Sequence, residues 1–385
     1  MPLYLCVDCG GSKTSAVICD ASGKILGRAL GGPSNFAYLS IDAFISAVYA
    51  TVNNALKTCS PPTIDPVPLP PSAAAPGHFA AAWFGVSGVD SPAAVATITP
   101  ALSALLGIPA GPRLIIANDT HLLAAPVRMH PDISDAVAVI AGTGAIAVTF
   151  REVNGKIEEL GRIGGWGWIL GDEGGGFHVG REAIRQILME HDKASIGGTS
   201  PVKSTLKARV LERFGVTDVL EILTAVHLPD PSPTVSLGAD APPYLLIPRE
   251  KRLSSLCPLV FASAFEDADP LALNVLHTCA AILASQIAVL LGEGSGEAPR
   301  AVKAQESVIS FGGSLVEIEA YRKMVLDDLA QRGHVFKYVE FVDDAAAVGA
   351  AGLAAAHGQG GSIDDPSMMH CEDVAGRYFR LSGAV

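Results

Sequence analysis

The chain predicts an α/β protein of two lobes built on one plan, and three observations carry that expectation. At 385 residues it exceeds the roughly 250–300 residues at which a single hydrophobic core stops growing. The pattern strand, Gly-rich turn, strand, strand occurs at residue 3 and again near residue 136. Short apolar strands separated by helical stretches complete each copy.

Residues 3–8 and 14–20 read as strands joined by "DCGGSK", and "GKILGRAL" supplies a third. In "SIDAFISAVYATVNNALKTC" the apolar residues Ile41, Phe44, Ile45 and Val48 recur at helical spacing, with Ser40 placed to cap the helix. A Pro-rich stretch without period, about residues 60–78, reads as a surface insertion of extended character. "AAWFGVSGV" and "PRLIIAND" are buried strands around a helical stretch. From Ser134, "DAVAVIAGTGAIAVTFREVNGKIEEL" repeats the strand, turn, strand, strand order. Helices follow over 176–191, 201–214 and 257–292; "SVISFGG" is a strand, "EIEAYRKMVLDDLAQRG" a helix closed by Gly333, and "DDAAAVGAAGLAAAHG" a last core helix. The tail from Gly358 is weakly patterned. The expected lobes are 1–118 and 119–385.

Composition narrows the classes. Hydrophobic residues make up 49% and charged ones 17%, as in a well-packed globular chain, and the net charge is −12. That balance argues against a nucleic-acid surface, which needs clustered Lys and Arg, but not against local anion binding by backbone amides. The start "MPLYLCVDCGG" lacks a signal-peptide pattern, and the apolar runs "AVAVIAGTGAIAV" and "CAAILASQIAVLLG" are shorter than the roughly 20 residues a membrane span needs. Seven cysteines point to free thiols in a reducing compartment, hence a cytoplasmic expectation. Cys6 and Cys9 form a C-x-x-C, but on a strand they point to opposite faces, which argues against a metal pair.

Three turns suit phosphate: "DCGGSKT", "AGTGA" and "FGGS". Without a Cβ, glycine lets an anion approach consecutive N–H groups, and Ser12, Thr143 and Ser314 can each add a hydroxyl. Each turn can equally be a plain tight turn. No Walker-type P-loop occurs. "GTGAIA" matches a dinucleotide fingerprint, but its continuation "IAVTFRE" reads as strand, whereas that fingerprint must open a helix. Asp119 ends a buried strand, where it can take a proton from a substrate hydroxyl or simply cap "THLLAAPV". Asp8 ends the first strand and can orient a hydrated magnesium ion. Asp172, in "GGWGWILGDEGGGFHVGRE", can bind a sugar hydroxyl, bind a metal-held water or cap its loop.

Together "VDCGGSKTSAVICDASGKILGRALGGPSNF", "AND", "IAGTGAIA" and "GGWGWILGDEGGGFHVGREAI" resemble the N-acetylglucosamine kinase family of actin-like ATPase sugar kinases, over most of Leu3 to His357. The resemblance implies two ribonuclease-H-like lobes flanking a central cleft, ATP and Mg2+ between them, and closure over a sugar. It places nucleotide contacts on Gly10, Gly11, Ser12, Lys13, Gly142, Thr143, Gly144, Ala264, Gly313 and Ser314. Sugar contacts fall on Asn35, Ser87, Gly88, Asp119, Gly165, Trp166 and Asp172, with Asp119 as the base acting on the sugar's 6-hydroxyl. Cys9 stands where the family more often has glycine, and Ser12 where threonine is usual. The glycines around Trp166 and Asp172 are expected to form a wall that moves as the lobes shut. Trp166 as a plain core aromatic is the competing reading.

Kinase activity on N-acetylglucosamine leads; glucosamine or another hexose is the near alternative. A dehydratase-activating ATPase is a rival of another class, disfavoured because no cysteine pair sits near the expected cleft. A fold that has lost catalysis is a third, against which Asp8, Asp119 and Asp172 stand together. A small-molecule sugar is the expected partner, without nucleic acid or membrane, and a homodimer stays open.

Overall fold

A computed structural model of the chain describes residues 2–11, 13–59, 69–71, 77–154, 156–198, 203–231, 243–296 and 298–358. Ser12, most of the Pro-rich stretch and the tail beyond 358 lie outside them. The first copy of the plan is β1 (Leu3–Cys9), β2 (Thr14–Cys19), β3 (Ile25–Gly31), α1 (Ile41–Lys57), β4 (Phe79–Val86), α2 (Pro92–Leu106) and β5 (Leu114–Ala117). A 3₁₀ segment, Asp119–Met129, leads into β6 (Asp135–Ala141), β7 (Ala145–Val153) and β8 (Lys156–Gly164). Among the described residues six α-helices follow: α3 (Gly176–Gly197), α4 (Thr205–Phe214), α5 (Glu221–His227), α6 (Arg249–Ser254), α7 (Cys257–Phe265) and α8 (Pro270–Val289). The chain then runs through β9 (Ser307–Gly312), α9 (Glu319–Gln331), β10 (Tyr338–Phe341) and α10 (Ala345–Gly358).

The duplication extends to whole sheets. Strand order is β3-β2-β1-β4-β5 in one and, read the same way, β8-β7-β6-β9-β10 in the other. In both, the first three strands pair antiparallel and the remaining pairs are parallel. Ser40 caps α1 through Ala43 N, as its position predicts. Three expectations need correction. The helix expected over 257–292 is two, because Asp269 Oδ1 accepts from Leu271 N and Ala272 N and Pro270 opens a new helix. Strand β10 was not foreseen. The cap at the 3₁₀ segment is Asn118, whose Oδ1 accepts from Thr120 N, so Asp119 is not needed for it.

Both faces of each sheet are covered, which is why the central strands are almost continuously apolar. One face of the first sheet presents Leu5, Val7 and Cys9 to Phe44, Val48 and Val52 of α1. Its other face presents Tyr4 and Cys6 to Ala346, Ala350 and Leu353 of α10, so the last helix returns to the first sheet. Cys6 and Cys9 thus lie in different cores and cannot share a metal. The 3₁₀ segment sends Leu122 and Ala125 toward the first sheet's core, and Leu123, Ala124 and Val127 toward the second's. Helices α3, α7, α8 and α9 cover the outer face of the second sheet. At 20 residues, α8 is long and apolar enough to cross a membrane by length and composition. That is longer than the sequence runs indicated; eight of its residues, Val275 and Leu283 among them, are buried in the second core.

Packing of α3 on α6 is close enough to exclude a side chain. A Cβ at Gly180 would stand 1.8 Å from Leu253 O and 2.6 Å from Leu253 C. Since backbone cannot swing aside, Gly180→Ala should cost about 3 kcal/mol, read as a lowered urea midpoint.

Candidate active site

The first hairpin and the loop after β3 are stitched into one wall. Gly10 N donates to Lys13 O (3.0 Å) and Ser34 N to Gly10 O (2.9 Å). Beneath them the buried hydroxyls of Thr14 and Ser34 meet at 2.6 Å. Phe36 N then donates to Ser87 O (2.9 Å), and Ser87 N to Cys9 O (3.0 Å). Asn35 Oδ1 is engaged by Ala37 N at 2.8 Å, which leaves its Nδ2 on the side of Gly11. Ser87 Oγ donates to Asp119 Oδ2 and so fixes the rotation of that carboxylate. These contacts bring together Gly10, Gly11, Lys13, Asn35, Ser87, Gly88 and Asp119, from four separated stretches of sequence.

The second hairpin joins two antiparallel strands, Ala141 facing Ala145, through residues 142–144, which removes the dinucleotide reading. Its carbonyls hold the start of α3: Gly176 N donates to Gly142 O (2.8 Å) and Phe177 N to Thr143 O (3.0 Å). Gly175 permits this, because a Cβ there would lie 2.6 Å from Gly144 C. Asp172, at φ +62°, lays its carboxylate on Gly144, where a Cβ would stand 2.5 Å from Oδ1. The glycine-rich stretch is therefore a docking surface for backbone on backbone. Gly165 N is tied to Ala145 O at 2.9 Å. Trp166 is 57% exposed, which rules out the core-aromatic reading; Trp168 instead packs on Phe177.

A cavity of about 710 Å³ opens between the sheets. Asp8 and Lys13 line it from the first sheet, Asp119 from the start of the connecting 3₁₀ segment, and Ile140 and Gly313 from the second sheet's side. Beside Gly313, Ser314 is exposed, while Leu315 N binds Ala141 O at the base of the second hairpin. Ala264, expected beside the adenine, needs correction: it is 3% exposed within the second core and offers a nucleotide no surface. Sequence reasoning missed Arg28, Asp343 and Asp344, which complete the cavity wall. Arg28 pairs with Asp344, and Asp344 also caps α10 through Ala347 N (2.9 Å). The doublet "DD" ahead of an alanine-rich helix is a cap signal that could have flagged Asp344.

Burial governs the cavity's electrostatics. It pushes Asp8 up to about 6, helped by Asp119 and offset in part by Lys13. Asp119 is also raised, chiefly by burial, while the Ser87 hydrogen bond pulls the other way. Two partly desolvated carboxylates beside a lysine and glycine turns form a donor set suited to a hydrated divalent cation with an anionic partner. Among the described residues no group of three or more His, Cys, Asp or Glu could hold a metal ion; hydrated magnesium needs only one or two carboxylates. Because the native Asp8 carboxyl holds its proton more tightly than an unfolded one, stability falls as pH rises from about 4 to 6. Asp8→Asn should therefore stabilise the protein by about 2 kcal/mol at neutral pH in metal-free buffer, the gain vanishing below about pH 4. Urea titrations across that range read it.

Comparison with known proteins adds to this geometry. The chain is 25% identical over 227 residues to the N-acetyl-D-glucosamine kinase of Dictyostelium discoideum, an alignment covering 59% of this chain and 65% of that protein. It is 27% identical over 203 residues to the N-acetylmuramic acid/N-acetylglucosamine kinase of Clostridium acetobutylicum, covering 50% and 56%. It thus spans less than two thirds of the length of these curated relatives. A solved structure from Porphyromonas gingivalis, provisionally named as an N-acetylglucosamine kinase, superposes with a TM-score of 0.57 at 20% identity, covering 94% of this chain and 99% of that one. A similarly named structure from Chromobacterium violaceum gives 0.54 at 21%, covering 92% and 99%. At these identities the two solved structures show a shared fold, the one that the duplicated sheets describe. The pattern of the BadF/BadG/BcrA/BcrD ATPase family matches residues 5–354, and the chain belongs to that family.

Proposed function

We propose that this chain is an ATP-dependent sugar kinase that moves the γ-phosphoryl group of ATP to the 6-hydroxyl of N-acetyl-D-glucosamine. The observation that carries the reading is the Asp119 carboxylate, oriented by Ser87 on the wall of a cavity shared with Asp8, Lys13 and Gly313. In the proposed step the sugar hydroxyl gives its proton to Asp119 while its oxygen bonds to the γ-phosphorus; the bond to the β-phosphate oxygen breaks and ADP leaves. Desolvation raises Asp119 toward the strength of a useful base. Lys13 and the amides of Gly11, Thr143 and Gly144 would hold phosphate oxygens, with Ser12 in the same turn; Gly10 and Gly142, whose own amides bind Lys13 O and Gly144 O, would shape the two turns around them. Asp8 would hold magnesium through water, and the ion would neutralise charge developing on the phosphates. Asn35, Ser87, Gly88, Gly165, Trp166 and Asp172 would contact the sugar, and Gly313 and Ser314 the adenosine. Two curated relatives named for this amino sugar support the substrate class.

The lobes are read as dividing near residue 118, with α10 returning to the first, and the protein as cytoplasmic and serving amino-sugar metabolism. A dehydratase-activating ATPase fits less well. All six cysteines among the described residues are buried, and burial pushes the Cys257 thiol up to about 12, away from the thiolate a cluster requires.

Asp119→Asn should cut kcat by about 10²–10⁴-fold while leaving the sugar's Kd within about threefold of wild type; a coupled ADP assay and calorimetry read the two. In the same assay, a kcat/KM for glucosamine or glucose about tenfold above that for N-acetylglucosamine would reject the substrate. Added EDTA should remove turnover and excess magnesium restore it.

A further inference from the structure

Next to Asp172 lies a side-chain network, built on the buried His178 and Tyr321, that the proposed chemistry does not use. His178 is 1% exposed on the first turn of α3. Its Nδ1 accepts from Gly174 N at 2.9 Å. A neutral imidazole that accepts at Nδ1 carries its proton on Nε2, and that nitrogen lies 3.0 Å from Glu173 Oε2. Arg181 Nη2 holds both oxygens of Glu173, at 2.7 and 2.8 Å. From the far side, Tyr321 Oη donates to Gly174 O at 3.0 Å. Both polar groups of Gly174 are therefore met by buried side chains from two helices, α3 and α9.

The bonds converge on a backbone that would not hold its shape unaided. Asp172 at φ +62° and Gly174 at φ +89° are both left-handed, a region that side-chain-bearing residues keep only when their surroundings fix them. Gly175 N closes the turn on Asp172 O at 3.0 Å. Whatever fixes residues 173–175 thus fixes where the Asp172 carboxylate lies against Gly144. A histidine that merely filled core space would show neither an oriented tautomer nor a paired carboxylate.

We propose that His178 is a positioning residue: through Gly174 and Glu173 it holds the Asp172 carboxylate where the sugar hydroxyls meet it. This inference rests on the reading of Asp172 as a sugar contact. Replacing the acceptor nitrogen releases the loop, and the cost falls on sugar binding, because the hairpin carbonyls remain tied to Gly176 and Phe177.

The test uses the full chain with N-acetyl-D-glucosamine and magnesium ATP. His178→Phe keeps an aromatic ring and loses both nitrogens. It should raise the sugar KM by about tenfold or more while the KM for ATP moves less than about threefold. Amide hydrogen exchange of the 172–176 segment, without sugar, should quicken by about tenfold or more. His178→Asn places an oxygen near the Nδ1 position and should bring both readings back to within about threefold of wild type; His178→Gln, which mimics only the Nε2 side, should not. Unchanged exchange and sugar KM in His178→Phe would overturn the proposal, as would a folded His178→Asn no better than His178→Phe. If His178→Phe does not fold, the half-buried Glu173→Gln replaces it, with quicker exchange and a sugar KM raised by about threefold expected and unchanged values overturning the proposal. Asp172→Ala separates the two readings. An unchanged sugar KM there removes the sugar contact, while quickened exchange in His178→Phe still upholds the positioning role.

Discussion

No Cβ fits at Gly175, where the lead into α3 lies on Gly144 of the second hairpin's turn, and most of the site's geometry follows from that. Carbonyls of Gly142 and Thr143 accept from the first amides of α3, and a Cβ at Gly175 would meet Gly144. Helix N-terminal amides need partners; here the partners are the turn itself. Sheet and helical layer are thereby locked at the point where the second lobe meets the cavity. Asp172 has one place to go, across Gly144, and takes a left-handed backbone to reach it.

The first lobe reaches the cavity by another route. On one face of its sheet, Tyr4 and Cys6 pack under α10, while Asp8, further along the same strand, lies beyond the start of that helix. A single face is thus core along one half and cavity wall along the other, and Asp344 marks the division by capping α10 while pairing with Arg28. The second sheet offers Ile140 where the first offers Asp8, each one residue before the last of its strand. Duplication supplied the shape, and divergence put a carboxylate at this register of one sheet only.

That charge is costly to keep. Asp8 and Asp119 are desolvated together, each raised above an ordinary carboxylate, and Lys13 only partly compensates. Buried groups of this kind are held by the surrounding fold, not the reverse. Elsewhere burial and polarity agree: Asp269 serves two helices, accepting from Leu206 N and from Leu271 N, and its burial is offset by these bonds. The contrast separates a carboxylate that builds the fold from a pair that strains it.

Local chemistry in the sequence determined a good deal of this protein. Both Gly-rich hairpins, the Ser40 cap and the repeated strand order could be read because turn residues and apolar periods act over a few positions, and the residues around Asp119 were recognisable as a set. Period alone also separated Cys6 from Cys9. Tertiary structure decided what depends on contacts distant in sequence. It gave the cap beside Asp119 to Asn118, broke the long helix at Asp269, and buried Ala264 among residues of other helices. It brought Arg28 to Asp344 across 316 positions and explained the glycines near Asp172 by the backbone they touch. A sequence states which residues can bend or ionise; only packing states what stands opposite them, and that sets both the room for a Cβ and the cost of a charge.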